Sequence, residues 1–176
     1  MRATFEALAG RRVSVALMTS IGATVHDSGY NRASQSHDWK RRAERLVRAS
    51  GSDDTIVRPG RFDESAAAHP EPLFLRGDTR RTGSPEDDSV ARSQIARVLI
   101  ESVTAAAASR KTLELVAERG PRQPDLDPVF AALQADAEGA LDAALDPDTL
   151  PLDREPAAFP AEIAEVARRG QSASAN

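Results

Sequence analysis

A chain of 176 residues is long enough for one ordinary domain, but only 4% of it is aromatic and its apolar residues are dominated by Ala. The expected core is therefore modest, with part of the chain packing poorly. The 23 basic and 27 acidic side chains are interspersed and leave a net charge of −4, which excludes the electropositive footprint of a nucleic-acid binder. No cysteine is present, so disulfides, thiolate chemistry and Cys-ligated zinc are excluded.

Residues 13–18, Val-Ser-Val-Ala-Leu-Met, form a short charge-free run. The run suits a strand buried on both faces, as in a parallel sheet. It is too short to cross a bilayer, and the residues before it do not fit a signal peptide. The expected setting is cytoplasmic, with no membrane partner. A polar loop is expected over 22–36, with Gly29 and Asn31 as turn residues. A helix follows over 38–49, with Ser36 or Asp38 as its N-cap. Trp39, Ala43, Leu46 and Val47 make its apolar stripe, while Arg41, Arg42, Arg45 and Arg48 lie mostly opposite.

Thr55-Ile56-Val57 reads as a second buried strand, stopped by Pro59-Gly60. Strand, helix and strand with short joins imply a right-handed crossover between parallel strands. Residues 61–85 are loop-rich, with a short strand at 73–75. A helix over 93–103 presents Ile95, Val98, Leu99 and Val103 inward, and 111–116 forms a further strand. From Gly120 the composition shifts to Pro, Asp and Ala, with weak helices at 126–135 and 161–168 and a disordered end over 171–176. The division expected is 1–119 as one domain and 120–176 as its tail.

The ordered series carries chemistry. One strand ends in Thr19-Ser20-Ile21-Gly22, Tyr30 sits in the loop that follows, Lys40 opens the helix, and the next strand ends in Pro59-Gly60. With Glu44 four residues after the Lys, and Val90-Ala91-Arg92-Ser93-Gln94-Ile95-Ala96 further on, the series resembles the second half of a short-chain dehydrogenase/reductase. The likeness is to the atypical, NmrA-like NAD(P)H-binding branch, over about Val13 to Glu118. The resemblance implies an α/β fold, namely the C-terminal half of a Rossmann-like parallel sheet with an irregular helical tail. It also implies hydride transfer between NAD(P) and a small carbonyl or alcohol. Ser20 would orient the carbonyl, Tyr30 would be the candidate proton donor, and Lys40 would hold the nicotinamide ribose and lower a phenol pKa. Thr19, Lys40, Pro59 and Gly60 would touch the cofactor.

The series departs from the family in two places. Four residues before Lys40, where the family has Tyr, stands Ser36, a far weaker acid than a phenol. No Gly-rich turn that would cradle a pyrophosphate occurs anywhere in the sequence. The sequence thus reads as a truncated copy whose open sheet edges favour self-association. A non-catalytic NAD(P)-sensing or protein-interaction module is the alternative. His26, His37 and His69 lack metal-ligand spacing, so no metal is expected. Arg76-Gly77-Asp78 reads as a chance tripeptide, and Arg80-Arg81-Thr82-Gly83-Ser84 as a solvated loop in preference to a phosphate-binding one. Asp125, Asp127, Asp136, Asp142, Asp146 and Asp148 read as helix caps and solubilising charge.

Overall fold

The computed structural model describes residues 1–8, 11, 13–62, 71–147 and 149–174, the last three as backbone only. His69 and Asp148 lie outside them. Strands β1 (Ser14–Met18), β2 (Asp53–Pro59), β3 (Arg61–Phe62), β4 (Glu71–Leu75), β5 (Ser89–Val90) and β6 (Lys111–Glu118) alternate with helices α1 (Arg2–Leu8), α2 (Gly29–Ser34), α3 (Ser36–Ala49), α4 (Arg92–Ser102), α5 (Asp127–Ala132) and α6 (Phe159–Ser174). The main sheet has the order β1-β2-β6-β4. β1, β2 and β6 run parallel, and β4 returns antiparallel along β6. A short parallel pair, β3 with β5, stands apart.

Helices cover both faces. On one, Phe5, Leu46, Val47, Phe159, Ile163 and Val166 from α1, α3 and α6 meet Val15 and Leu17 of β1. On the other, Ile95 and Val98 of α4 and Phe130 of α5 pack on Val57, Leu113, Leu115 and Phe74. The Phe74 and Phe130 rings lie 5.1 Å apart. β2 and β6 are buried along almost their whole length, as parallel central strands require. Among the described residues no helix is long and apolar enough to cross a membrane.

Several expectations are corrected. β1 lies at the sheet edge rather than buried on both faces, and Met18 is 45% exposed. The stretch taken as loop contains α2, which carries Tyr30. α3 begins at Ser36, after Gln35 in the left-handed region (φ 54°), so neither Ser36 nor Asp38 is its N-cap. Val103 lies past α4 and is exposed. Residues 171–174 continue α6 rather than fraying.

The largest correction concerns α3. Trp39 is 62% exposed and lies under the Arg42 guanidinium at 5.0 Å, while Arg41, Arg42, Arg45 and Arg48 are buried. A helix repeats every 3.6 residues, so Arg41, Arg45 and Arg48 fall on one stripe beside Leu46 and Val47. The tail supplies the countercharge. Glu155, with no exposed side-chain surface, accepts hydrogen bonds from Arg41 (3.0 and 3.1 Å), Arg42 (2.7 Å) and Arg45 (2.9 Å). Asp142 takes Arg45 in a two-point grip at 2.8 and 3.0 Å. Asp146 does the same for Arg58 at 2.7 and 2.8 Å, and Asp136 accepts from Arg76 at 2.8 Å. The tail carboxylates at 136, 142 and 146 are therefore ion-pair partners, not solubilising charge.

Removing one member of a buried ion network leaves the others as uncompensated charges, which costs more than the pair itself contributes. Glu155→Ala should therefore lose about 3–5 kcal/mol in urea denaturation. Glu138→Ala, at a carboxylate 93% exposed, should change little. Equal effects would remove the network's structural role.

Asp54 gives a second test. Its carboxyl is buried and its Oδ2 has no hydrogen-bond partner among the described residues. Burial pushes its pKa up to about 6; Arg48 opposes this and Asp136 adds to it. A raised carboxyl pKa favours the protonated form, so stability should fall as pH rises from about 4 through 6. Asp54→Asn should stabilise the chain at pH 8 by up to about 3 kcal/mol and give no gain below pH 4. The check is urea denaturation at both pH values.

Candidate active site

A crevice of about 510 Å³ opens where β1 and β2 end, the place at which parallel sheets of this kind present ligand-contacting groups. The ladder register brings its walls together. Met18 pairs with Val57, and beyond the strand the amides of Thr19 and Ile21 donate to the carbonyls of Val57 and Pro59 at 2.9 and 3.2 Å. Ser20 is thereby laid beside Pro59.

Two successive hydroxyls then grip successive turns of α3. Ser20 Oγ accepts from Lys40 Nζ at 2.7 Å, and Thr19 Oγ1 donates to Glu44 Oε1 at 2.7 Å. Glu44 also receives Arg58 at 2.6 and 3.0 Å. Its burial alone would raise its pKa, but the Arg58 charge and hydrogen bonds hold it below the usual carboxylate range. Ser20 and Lys40 therefore line the crevice. Thr19, expected at the cofactor, turns its hydroxyl into this buried network instead.

The α2–α3 corner sets Tyr30. Ser28 Oγ caps α2 by accepting from the Asn31 amide at 3.0 Å. The buried Asn31 side chain accepts from the amides of His37 and Asp38 at 2.9 and 3.1 Å and donates to the His26 carbonyl at 2.9 Å. One amide thus provides the cap that α3 lacks in its own N-cap residue. Tyr30, 61% exposed, lines the crevice with its ring 5.2 Å from that of His37. A hydrogen bond with the Ser36 side chain lowers its phenol pKa, burial opposes this, and the Lys40 charge lowers it further. Ser36, which stands four residues before Lys40, therefore acts on the phenol that comes from the preceding helix.

Glycine is required at two points of the wall. Gly22 has φ +77° and leaves 3.1 Å between an added Cβ and the His37 ring, and a Cβ on Gly60 would come within 2.8 Å of the Asp88 carbonyl oxygen. The Gly60 amide donates to Leu115 O at 2.9 Å. With the Pro59 carbonyl and the Gly60 amide engaged within the sheet, this corner offers the crevice mainly van der Waals surface.

Sequence reasoning gave the far wall, from the 76–78 tripeptide to the 80–84 loop, no part in the site. Asp78, with 0% exposure, accepts from the amides of Gly22 (2.6 Å) and Thr24 (2.9 Å) and from the Thr24 hydroxyl (2.7 Å). It thus holds the loop after β1 from inside the fold, and Arg76-Gly77-Asp78 has a structural role. Glu114, its pKa raised by burial, in turn accepts from the amides of Asp78 and Thr79 at 2.6 and 3.0 Å. His37 also faces the crevice. Its Nδ1 lies 3.2 Å from Val25 O, and burial lowers its pKa, favouring the neutral ring. Among the described residues no group of three or more His, Cys, Asp or Glu is placed to hold a metal.

A mostly parallel sheet covered by helices, with a crevice at the strand ends, is a Rossmann-like architecture. Residues 1–106 match the family model described as NAD(P)H-binding, and the chain belongs to that family. Among solved structures it is similar to a putative NAD-dependent epimerase/dehydratase from Bacillus halodurans, with TM-score 0.58 and 22% identity over 75% of this chain and 57% of that one. It is also similar to the oxidoreductase ylbE from Lactococcus lactis, with TM-score 0.47 and 14% identity over 67% and 50% of the two chains. The chain thus spans little more than half the length of the first of these structures. The first likeness supports the fold. No curated protein matches the sequence.

The sequence contains one tyrosine, so its titration can be read directly. Tyrosinate absorbance should rise with a midpoint below about 10, the ordinary phenol value. Ser36→Ala and Lys40→Met should each move it upward, the first by more. A midpoint unchanged by both would detach Tyr30 from the site.

Proposed function

We propose that the crevice is the nicotinamide end of an NAD(P)-dependent oxidoreductase site acting on a small carbonyl or alcohol. The single observation that carries this reading is the 2.7 Å bond between Lys40 Nζ and Ser20 Oγ, beside Pro59-Gly60 at the strand ends. The donor set fits the group. An ammonium has two further N–H donors beyond the one given to Ser20, suited to ribose hydroxyls, and the Pro59-Gly60 corner, its carbonyl and amide engaged in the sheet, leaves van der Waals contact for an aromatic ring. When bound, the cofactor supplies or accepts the hydride.

The chain's own residues do the rest. Ser20 donates its hydroxyl proton toward the carbonyl oxygen and fixes its orientation. Tyr30 gives that oxygen a proton during reduction and takes it back in the reverse direction. Lys40, helped by Ser36, keeps the phenol acidic enough for both. Residues 13–118 correspond in this reading to the second half of a short-chain dehydrogenase/reductase sheet, with 120–176 as the helical region that ties down α3. A non-catalytic NAD(P)-sensing module is the second reading, favoured by the exposure of Tyr30 and its origin outside α3.

Fluorescence titration with NADPH should show saturable binding, weakened at least about tenfold by Lys40→Ala. Tyr30→Phe should leave that binding intact and lower carbonyl-dependent NADPH oxidation by about 10²–10⁴-fold. Saturable binding without turnover selects the sensing module, and the absence of binding rejects both readings.

A further inference from the structure

We infer that Arg81 seats the carboxylate of the substrate, so that the carbonyl compound reduced in the crevice is an oxo acid; this rests on the oxidoreductase reading above. The inference starts from charge. Lys40 and Arg81 both line the crevice, and among the described residues neither meets a carboxylate. Elsewhere the chain pairs its buried arginines closely with acids, as at Arg41, Arg45 and Arg58. The acid in the crevice wall, Asp87, is engaged by its own loop. Its Oδ1 accepts from the Thr82 amide and hydroxyl at 2.9 and 3.0 Å, and its Oδ2 accepts from the Gly83 amide at 2.6 Å. His37 is held toward neutrality by burial. Both Asp87 oxygens are thus turned into the 82–83 loop, and Lys40 and Arg81 face the crevice without a carboxylate in ion-pair contact among the described residues.

Geometry gives the arginine a fixed place. Thr24 has a single hydroxyl proton and donates it to Asp78 Oδ2 at 2.7 Å, which leaves a lone pair to accept Arg81 Nη1 at 2.9 Å. Asp78 is fully buried and also holds the amides of Gly22 and Thr24. The relay from Asp78 through Thr24 to Arg81 thus anchors an exposed guanidinium to the interior at one nitrogen. Its remaining donors keep the planar fork that matches a carboxylate in two-point fashion. Ser20 and Tyr30 address a carbonyl oxygen in the same crevice, so a molecule carrying both groups would be held at two points. Asp78 and Thr24 are positioning residues, and Arg81 is the contact.

The same fork would also accept a phosphate of the cofactor, and the test separates the two. Oxalate serves as a carboxylate probe without a reducible ketone and oxamide as its neutral counterpart, both followed by calorimetry. The expected result is saturable oxalate binding, no oxamide binding, and a loss of at least tenfold in oxalate affinity in Arg81→Gln, partly restored in Arg81→Lys. NADPH affinity should stay within twofold in both variants. The preference in kcat/KM for pyruvate over methyl pyruvate should collapse in Arg81→Gln. No oxalate binding, or binding unchanged by Arg81→Gln, overturns the inference. Parallel loss of NADPH and oxalate overturns it too, by assigning the arginine to a cofactor phosphate. If the wild-type chain takes oxalate through Arg81 but takes no NADPH, the hydride-transfer reading falls while the carboxylate seat stands.

Discussion

Glu155 is the residue on which the arrangement turns. One carboxylate, sealed from water, receives three guanidiniums from three positions of α3. Charges so placed are favourable only while every partner is present, because the interior cannot solvate the remainder. The network joins the helix that carries Lys40 to a segment more than 100 residues further along the chain. The apolar core holds sheet and helices together without direction, whereas the two-point contact of Asp142 with Arg45 fixes distance and angle. With Glu155 it holds α3 in one rotation about its axis, and that rotation puts Lys40 against Ser20.

A second device then sets the phenol. Tyr30 does not follow from helical spacing to Lys40, because it belongs to a different helix. The buried Asn31 side chain joins the two helices by binding amides of one and a carbonyl that precedes the other. The Ser36 hydroxyl and the Lys40 charge both lower the phenol pKa, so the corner acts on Tyr30 electrostatically as well as by position.

The parallel strands and the α3 crossover were legible in the sequence because each is written locally, whereas the grouping of Ser20, Lys40, Pro59 and Gly60 followed only from the family resemblance. A β-branched run, a Pro-Gly stop and a helical period need only neighbours to be read. Trp39 and the α3 arginines were misjudged for the opposite reason. Hydrophobicity places a Trp inside and an Arg outside unless a partner reverses the balance, and those partners lie in the tail. The edge position of β1 was equally hidden, since a run of Val, Ala and Leu does not state how many neighbours its strand has. Thr24 went unnoticed, and Asp78 and Arg81 were read as a chance tripeptide and a solvated loop, because nothing in the local pattern marks a buried aspartate that serves a loop more than fifty residues earlier.

The pairing of α3 with the tail also bears on how such chains diverge. The family match ends at residue 106, yet acceptors for the α3 arginines stand at 136, 142 and 155. A comparison confined to the matched region would show a row of costly cations without visible cause, and would treat the tail as free to drift. Substitution in that tail is instead constrained by sign: its apolar positions can be exchanged for others of like volume, while its acids can change only together with basic partners far upstream.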